Sequence, residues 1–231
     1  NGGILALTGG SETVDSVSGS GAIQLNTGSL TLDAGASAIS GVISGPGSLT
    51  VSGTSATTLT GVNTYTGATN VTGGSLNVTG AGTVVSSAVN VSGGTLTTDS
   101  DALGAGTTVA VSGTGTFTSS GTDSFTAITQ SGGTVNGSGV LTLSGAFTQS
   151  GGTTGGTVDI NSATFTQSGG AVIAAGTTVT STGAQSLQGG TIAGNLDGAG
   201  AITAASGTTD ITGTVTNAAG LTVSGGAVNV T

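Results

Sequence analysis

The sequence predicts an all-β chain folded as a single right-handed parallel β-solenoid (β-helix) of about 12 coils, with about 18–20 residues in each. Three observations predict it. A Gly-Gly phrase recurs at near-constant spacing, apolar residues alternate with small polar ones on either side of it, and glycine fills 48 of 231 positions while charge nearly vanishes.

The phrase reads apolar, x, apolar, small polar, Gly-Gly, small polar, apolar. It stands as NVTGGSLNV at 70–78, NVSGGTL at 90–96, ITQSGGTV at 128–135, FTQSGGAV at 165–172 and TVSGGAVNV at 222–230. Its first glycine falls at 9, 28, 53, 73, 93, 113, 132, 151, 169, 189, 207 and 225, the second being replaced after 28, 53, 113 and 207. Most intervals are 18–20 residues; the interval from 28 to 53 is 25 and contains Pro46, the only proline. A fixed period of this size marks a solenoid whose repeats stack on one another. The long interval predicts an inserted or irregular corner near 40–50, around SGPGS at 44–48, within one continuous domain over 1–231.

Each coil reads as short strands. Leu76-Asn77-Val78 and Val89-Asn90-Val91 alternate with period two, which is the spacing of a half-buried strand. Threonine and valine favour strands, and glycine at this density costs a helix about 1 kcal/mol per residue. Successive coils then pair in parallel about 4.8 Å apart, and twelve of them make a rod of roughly 55–60 Å. Right-handedness follows from the crossover rule for parallel strands. Four residues before the glycine mark stand Val89, Val109, Ile128, Phe147, Phe165 and Leu221; three after it stand Leu76, Leu96, Val135, Val172, Ile192 and Val228. These form two predicted inward columns, each buried side chain contributing about 1.5–3 kcal/mol.

Disorder is the competing reading of Gly/Ser/Thr richness. The positive mean hydropathy of +0.36 and the recurring aliphatic alternation oppose it, because disordered chains lack hydrophobicity.

All nine charges are acidic and there is no Lys, Arg, His or Cys. Phosphate neutralisation by basic side chains is therefore ruled out, and nucleic acid with it. So are catalysis by His, Lys or Cys, Cys/His zinc sites and disulfides. No apolar run approaches the ~20 residues of a membrane helix. The chain opens in mid-pattern with NGGILALTGG, as expected of a fragment of, or product processed from, a longer precursor.

Residues 59–79, LTGVNTYTGATNVTGGSLNVT, resemble the passenger-associated strand repeat of bacterial autotransporters: LTG, then NTYTG, then V-x-GG-[ST]-L. The match is clear over that one unit, and elsewhere only the Gly-Gly strand pair persists. The resemblance implies a β-helical passenger domain on the outer surface, with the repeat associated with export. The family's C-terminal membrane barrel is absent from this sequence, and the lack of basic residues departs from the family's pattern.

Few residues offer chemistry. Asp99 and Asp101, in TTDSDALGAG, form a D-x-D that could hold Ca²⁺ with loop carbonyls, but the GGxGxD register of calcium β-rolls is not repeated here. A solvated turn is the plainer reading, and no other cofactor is expected. The remaining acids, apart from Glu12 and Asp15, sit singly at 33, 123, 159, 197 and 210; Asp123 reads as a loop residue. Glycoside hydrolysis needs two carboxylates about 5–10 Å apart, so an enzyme is not expected. Gln130, Gln149 and Gln167, each two residues before a glycine mark, suggest an amide ladder. Parity with Phe147 and Phe165 turns them inward unless the strand bends first; both placements stay open. Thr-x-Thr pairs at 116–118, 178–180 and 214–216 resemble those of ice-binding solenoids. Their irregular register makes them ordinary strand-surface residues. Asn-x-Ser/Thr at 70, 77, 90, 136 and 229 reads as turn and strand chemistry.

The expected function is a structural extracellular module of a bacterial surface protein, secreted to the outer surface or matrix and self-assembling end to end into a fibre. The alternative is the adhesin stalk of an autotransporter passenger. A carbohydrate-active β-helix enzyme comes third. Neither ILALTGG at 4–10 nor SGGAVNVT at 224–231 carries a cap, so both end coils present edges able to pair with another chain.

Overall fold

The computed structural model describes residues 2–231, and among them there is no helix. Every strand pairing is parallel, and each coil crosses three faces in turn. The first face begins with Ser11–Val14, Ser29–Leu32 and Ser48–Val51 and ends with Ile202–Ala204 and Leu221–Val223. It counts twelve strands, paired from Ser11–Val14 through to Leu221–Val223 without a break. Partners there lie 17 residues apart at Gln185 and Ile202 and 20 apart at Leu49 and Thr69. The second face runs from Ala36–Ile39 to Ala227–Val230. Two long strands, Ala127–Gly137 and Ala146–Thr154, bend across the corner and join both faces into one 21-stranded sheet.

The coils close around a thin apolar interior. Leu32, Val51, Val71, Val91 and Val111 stack in one inward column of the first face, all essentially inaccessible. Beside it run Leu30, Leu49, Val89, Val109, Ile128, Phe147 and Phe165. The rings of Phe147 and Phe165 stack with centroids 5.3 Å apart, and Phe117 meets Phe125 edge-on at 6.3 Å. Such pairs add about 0.5–1.5 kcal/mol beyond the area they bury.

Three sequence expectations need correction. First, no insertion occurs at 44–48. Ile23 pairs with Ile43 and Ser29 with Ser48; six residues run from 23 to 29 and five from 43 to 48, so the Pro46 corner is shorter than its neighbour. The 25-residue interval is a change of corner. Gly9 and Gly28 precede the first-face strands, whereas Gly53 and its successors follow them. Gly53 stacks on Asp33, whose carbonyl a Cβ there would strike. Spacing of glycines alone does not distinguish one corner from another.

Second, Val172 and Val228 leave the assigned column. Val172 is outward between Thr153 and Thr191, while Ile173 takes the inward place between Thr154 and Ile192. Val228 stacks over the buried Thr209, and Ile211 continues the column of Ile192. The cause is a variable number of residues in the Gly-Gly bend, visible as register shifts at Gln130/Ser131 and Ser131/Thr134. The third correction concerns Asp123 and belongs to the third face.

Candidate functional site

The third face is broken. Ile4–Leu7, Ala22–Leu25 and Ile43–Ser44 form one small sheet, and a six-stranded sheet starts again at Thr122–Phe125. Between them only two isolated bridges remain, Val62 to Thr83 and Val84 to Leu103. Backbone groups that lose their ladder partners inside a protein must find others, and buried side chains supply them. Asn63 accepts from Ile43 N at 2.9 Å and donates to Gly61 O and Thr83 O, both at 2.9 Å. Tyr65 is fully buried and shares a 2.6 Å hydrogen bond with Thr69, whose hydroxyl donates to Ser86. Burial holds the Tyr65 phenol well above its ordinary pKa.

At the other side of the break stands Asp123, inaccessible to solvent, not in a loop as the sequence suggested. Its Oδ1 accepts from Ala102 N at 2.8 Å and Leu103 N at 3.2 Å, and its Oδ2 from the hydroxyls of Thr98 at 2.8 Å and Ser119 at 3.4 Å. Desolvation raises its pKa above the ordinary carboxylate value, and the four donors oppose that rise. Asp123 begins the column that Leu141, Ile160, Val179 and Leu196 continue.

The glutamines settle inward. Gln130, Gln149 and Gln167 are in register on consecutive coils and fully buried. They follow Val111 in its column and give way to Leu187. Their amides also donate to corner carbonyls, Gln130 to Thr153 O at 3.0 Å, Gln149 to Val172 O at 3.0 Å and Gln167 to Thr191 O at 3.2 Å. A fourth glutamine, Gln185, is buried in the neighbouring column over Phe165. The Oε1 atoms of Gln167 and Gln185 are buried without a protein partner.

Asp99 and Asp101 stand in the corner after Thr95–Thr98. Asp99 is half-buried, and its Oδ2 accepts from Gly80 N at 2.6 Å, one coil back; its Oδ1 is buried without a partner. Asp101 is exposed, with φ of 56°, and its N–H donates to Thr122 O at 2.8 Å. Among the described residues no group of three Asp, Glu, His or Cys comes together as a metal site. Other acids likewise bond to neutral donors on the next coil: Asp33 to Ser52, Asp197 to Thr216 and Asn217, Asp210 to Asn229. Hydrogen bonds from Asn217 and Thr216 hold Asp197 below the usual carboxylate range.

Outward threonines are more ordered than the Thr-x-Thr pairs suggested. Those pairs scatter over the second and third faces. On the first face one outward column runs through all twelve coils: Thr13, Thr31, Thr50, Asn70, Asn90, Ala110, Thr129, Thr148, Thr166, Ser186, Thr203 and Thr222. At the ends of the stack Ile4, Leu5, Leu221, Val223 and Val230 are exposed, and their strands pair on one side only.

Sequence reasoning missed Asn63, Tyr65, Gln185 and Asp123 as interior residues. Parity carried the signal for three of them. Asn63 and Tyr65 share one side of a strand-like run, and Asp123 is two residues before the buried Phe125. No protein-family model, curated protein or solved structure matches this chain.

Proposed function

We propose that this chain is a structural, extracellular β-solenoid module of a bacterial surface protein: a stiff rod that stacks end to end with further coils in a fibre or matrix. The observation that carries this reading is the use made of the acids. Five of the nine (Asp33, Asp99, Asp123, Asp197 and Asp210) accept hydrogen bonds from another coil. In a chain with no cation to pair with them, these carboxylates join coil to coil instead of converging on a substrate. A β-solenoid of this kind draws its stability from nearest-neighbour coil interfaces, and such an interface is one that a further coil can extend. The autotransporter-like unit at 59–79 supports the surface location, and the composition supports a role without catalysis.

Electron microscopy of the isolated chain tests the reading. Rods in multiples of about 55 Å, the length of twelve coils at the parallel-strand spacing, are expected. Leu221→Asp with Val223→Asp should hold the rods to one length of about 55 Å. Rods of only that one length at every concentration of the unaltered chain would remove end-to-end stacking and favour the adhesin-stalk alternative.

A further inference from the structure

Charge is segregated on this rod. The outward positions of the first face carry no Asp or Glu in any of its twelve strands. The acids occupy corners (Asp15, Asp33, Asp99, Asp101), outward places on the other faces (Asp159, Asp197, Asp210), the interior (Asp123), and the inward side of the first coil (Glu12). For a chain of net charge −9, the first face is therefore the side on which two copies approach with least repulsion.

We propose that two copies of this chain pair side by side through their first faces. Three features point to a second copy rather than another partner. The first is repeat: Thr31, Thr50, Thr129, Thr148 and Thr166 lie in one column with a spacing of about 4.8 Å. A partner surface must share that spacing to engage the full length, and this chain's own first face does. The second is area. Eleven intervals of about 4.8 Å and a width of about four residues at ~3.3 Å give roughly 700 Å² per copy. The pair would bury roughly 1,400 Å², within the ~1,200–2,000 Å² of a specific interface. The third is composition: small, β-prone, uncharged side chains on in-register strands are what identical sheets interdigitate through. Aromatic platforms that would hold a sugar polymer are missing, since Tyr65 and all four phenylalanines are buried. The pairing uses a side of the rod and does not depend on what meets its ends.

Sedimentation and cross-linking on the whole chain test it. With its ends blocked by Leu221→Asp and Val223→Asp, the protein should reach twice 21.0 kDa at micromolar concentration, and by microscopy it should show twice the width of one rod at constant length. Adding Thr129→Asp with Thr148→Asp, both outward, to that end-blocked protein should return it to 21.0 kDa. Because the chain has no cysteine, Thr129→Cys gives a second readout should the Asp variant fold badly. Thr129 lies near mid-rod, so it meets its own counterpart whether the rods run parallel or antiparallel. A short bis-maleimide should link Thr129→Cys and spare Thr97→Cys on the second face. A 21.0 kDa species at all concentrations of the end-blocked protein, or equal linking at both positions, would overturn the proposal.

Discussion

Gln149 Nε2 donates to Gln130 Oε1 across 3.1 Å, joining side chains 19 residues apart in sequence and one coil apart in space. The same Gln130 oxygen accepts from Thr154 at 2.7 Å. Interior amides here replace a column of valines with a polar chain that also reaches the Gly-Gly corner carbonyls.

Gln149→Leu should therefore destabilise the rod by about 1–3 kcal/mol, the cost of leaving buried polar groups unpaired. Asn90→Leu, which removes the outward bond from Asn90 to Asn70 at 2.9 Å, should cost under about 1 kcal/mol because water replaces the lost partner. Urea denaturation of both variants measures the contrast. Equal midpoints would show that the buried ladder contributes no more than its surface counterpart.

Fold class and coil number were legible because both follow from periodicity, and a column such as Val89, Val109, Ile128, Phe147 and Phe165 keeps its register over many coils. Two kinds of information were hidden. Corner identity was one: Gly28 and Gly53 look alike in sequence yet occupy different corners. Interior polar residues were the other. Asp123 reads as a loop acid until the third-face sheet is seen to stop between Ser44 and Thr122, leaving Ala102 N and Leu103 N in need of an acceptor. That requirement arises from residues about 20 positions away, which local alternation does not encode.

Gly47→Ala should be severe and Gly170→Ala mild. A Cβ on Gly47 would overlap Gly28 O and lie 2.6 Å from Leu25 O, backbone atoms of the coil beneath that cannot move without separating the coils. At Gly170 nothing lies within 4 Å and the backbone φ is not positive, so alanine there should be neutral or stabilising by up to about 1 kcal/mol through the unfolded chain. Thermal melts distinguish the two. A Gly47→Ala protein that melts like the parent would contradict the close stacking of these corners.

Phe147→Ala should cost about 3–5 kcal/mol, the range for deleting a buried ring. Phe147 is inaccessible and stacks on Phe165, and the flanking coils are tied by backbone ladders that limit collapse into the cavity. Val172→Ala, at an outward site, should cost under about 1 kcal/mol. Comparable losses for both would place Val172 in the core after all.

Asp123 gives the rod its expected pH dependence. Its folded pKa is raised from 3.8, chiefly by desolvation. Between that ordinary value and the raised one, the native state holds a proton that the unfolded chain has released. Stability from this group is therefore fully present below about pH 4 and declines as pH rises through the folded value. Asp197 acts oppositely: its pKa is lowered from 3.8 by Asn217 and Thr216, so its contribution is present above about pH 4 and lost on further acidification. Melting temperature should rise as pH falls from 7 toward 4, then fall below that. Asp123→Asn should flatten the upper limb without unfolding the protein. Its amide oxygen can still accept from Ala102 N and Leu103 N, while the Thr98 hydroxyl turns to accept from the new NH₂. Asp123→Ala leaves those two N–H groups and the hydroxyl unpaired, and should cost about 2–4 kcal/mol near pH 4 and less as pH rises through the folded value. Circular-dichroism melts from pH 7.5 to 3 on the three proteins check this. A parent melting temperature that drops steadily from pH 7 to 4, or an Asp123→Asn protein that keeps the parent's slope, would show that the buried carboxyl does not govern the upper limb.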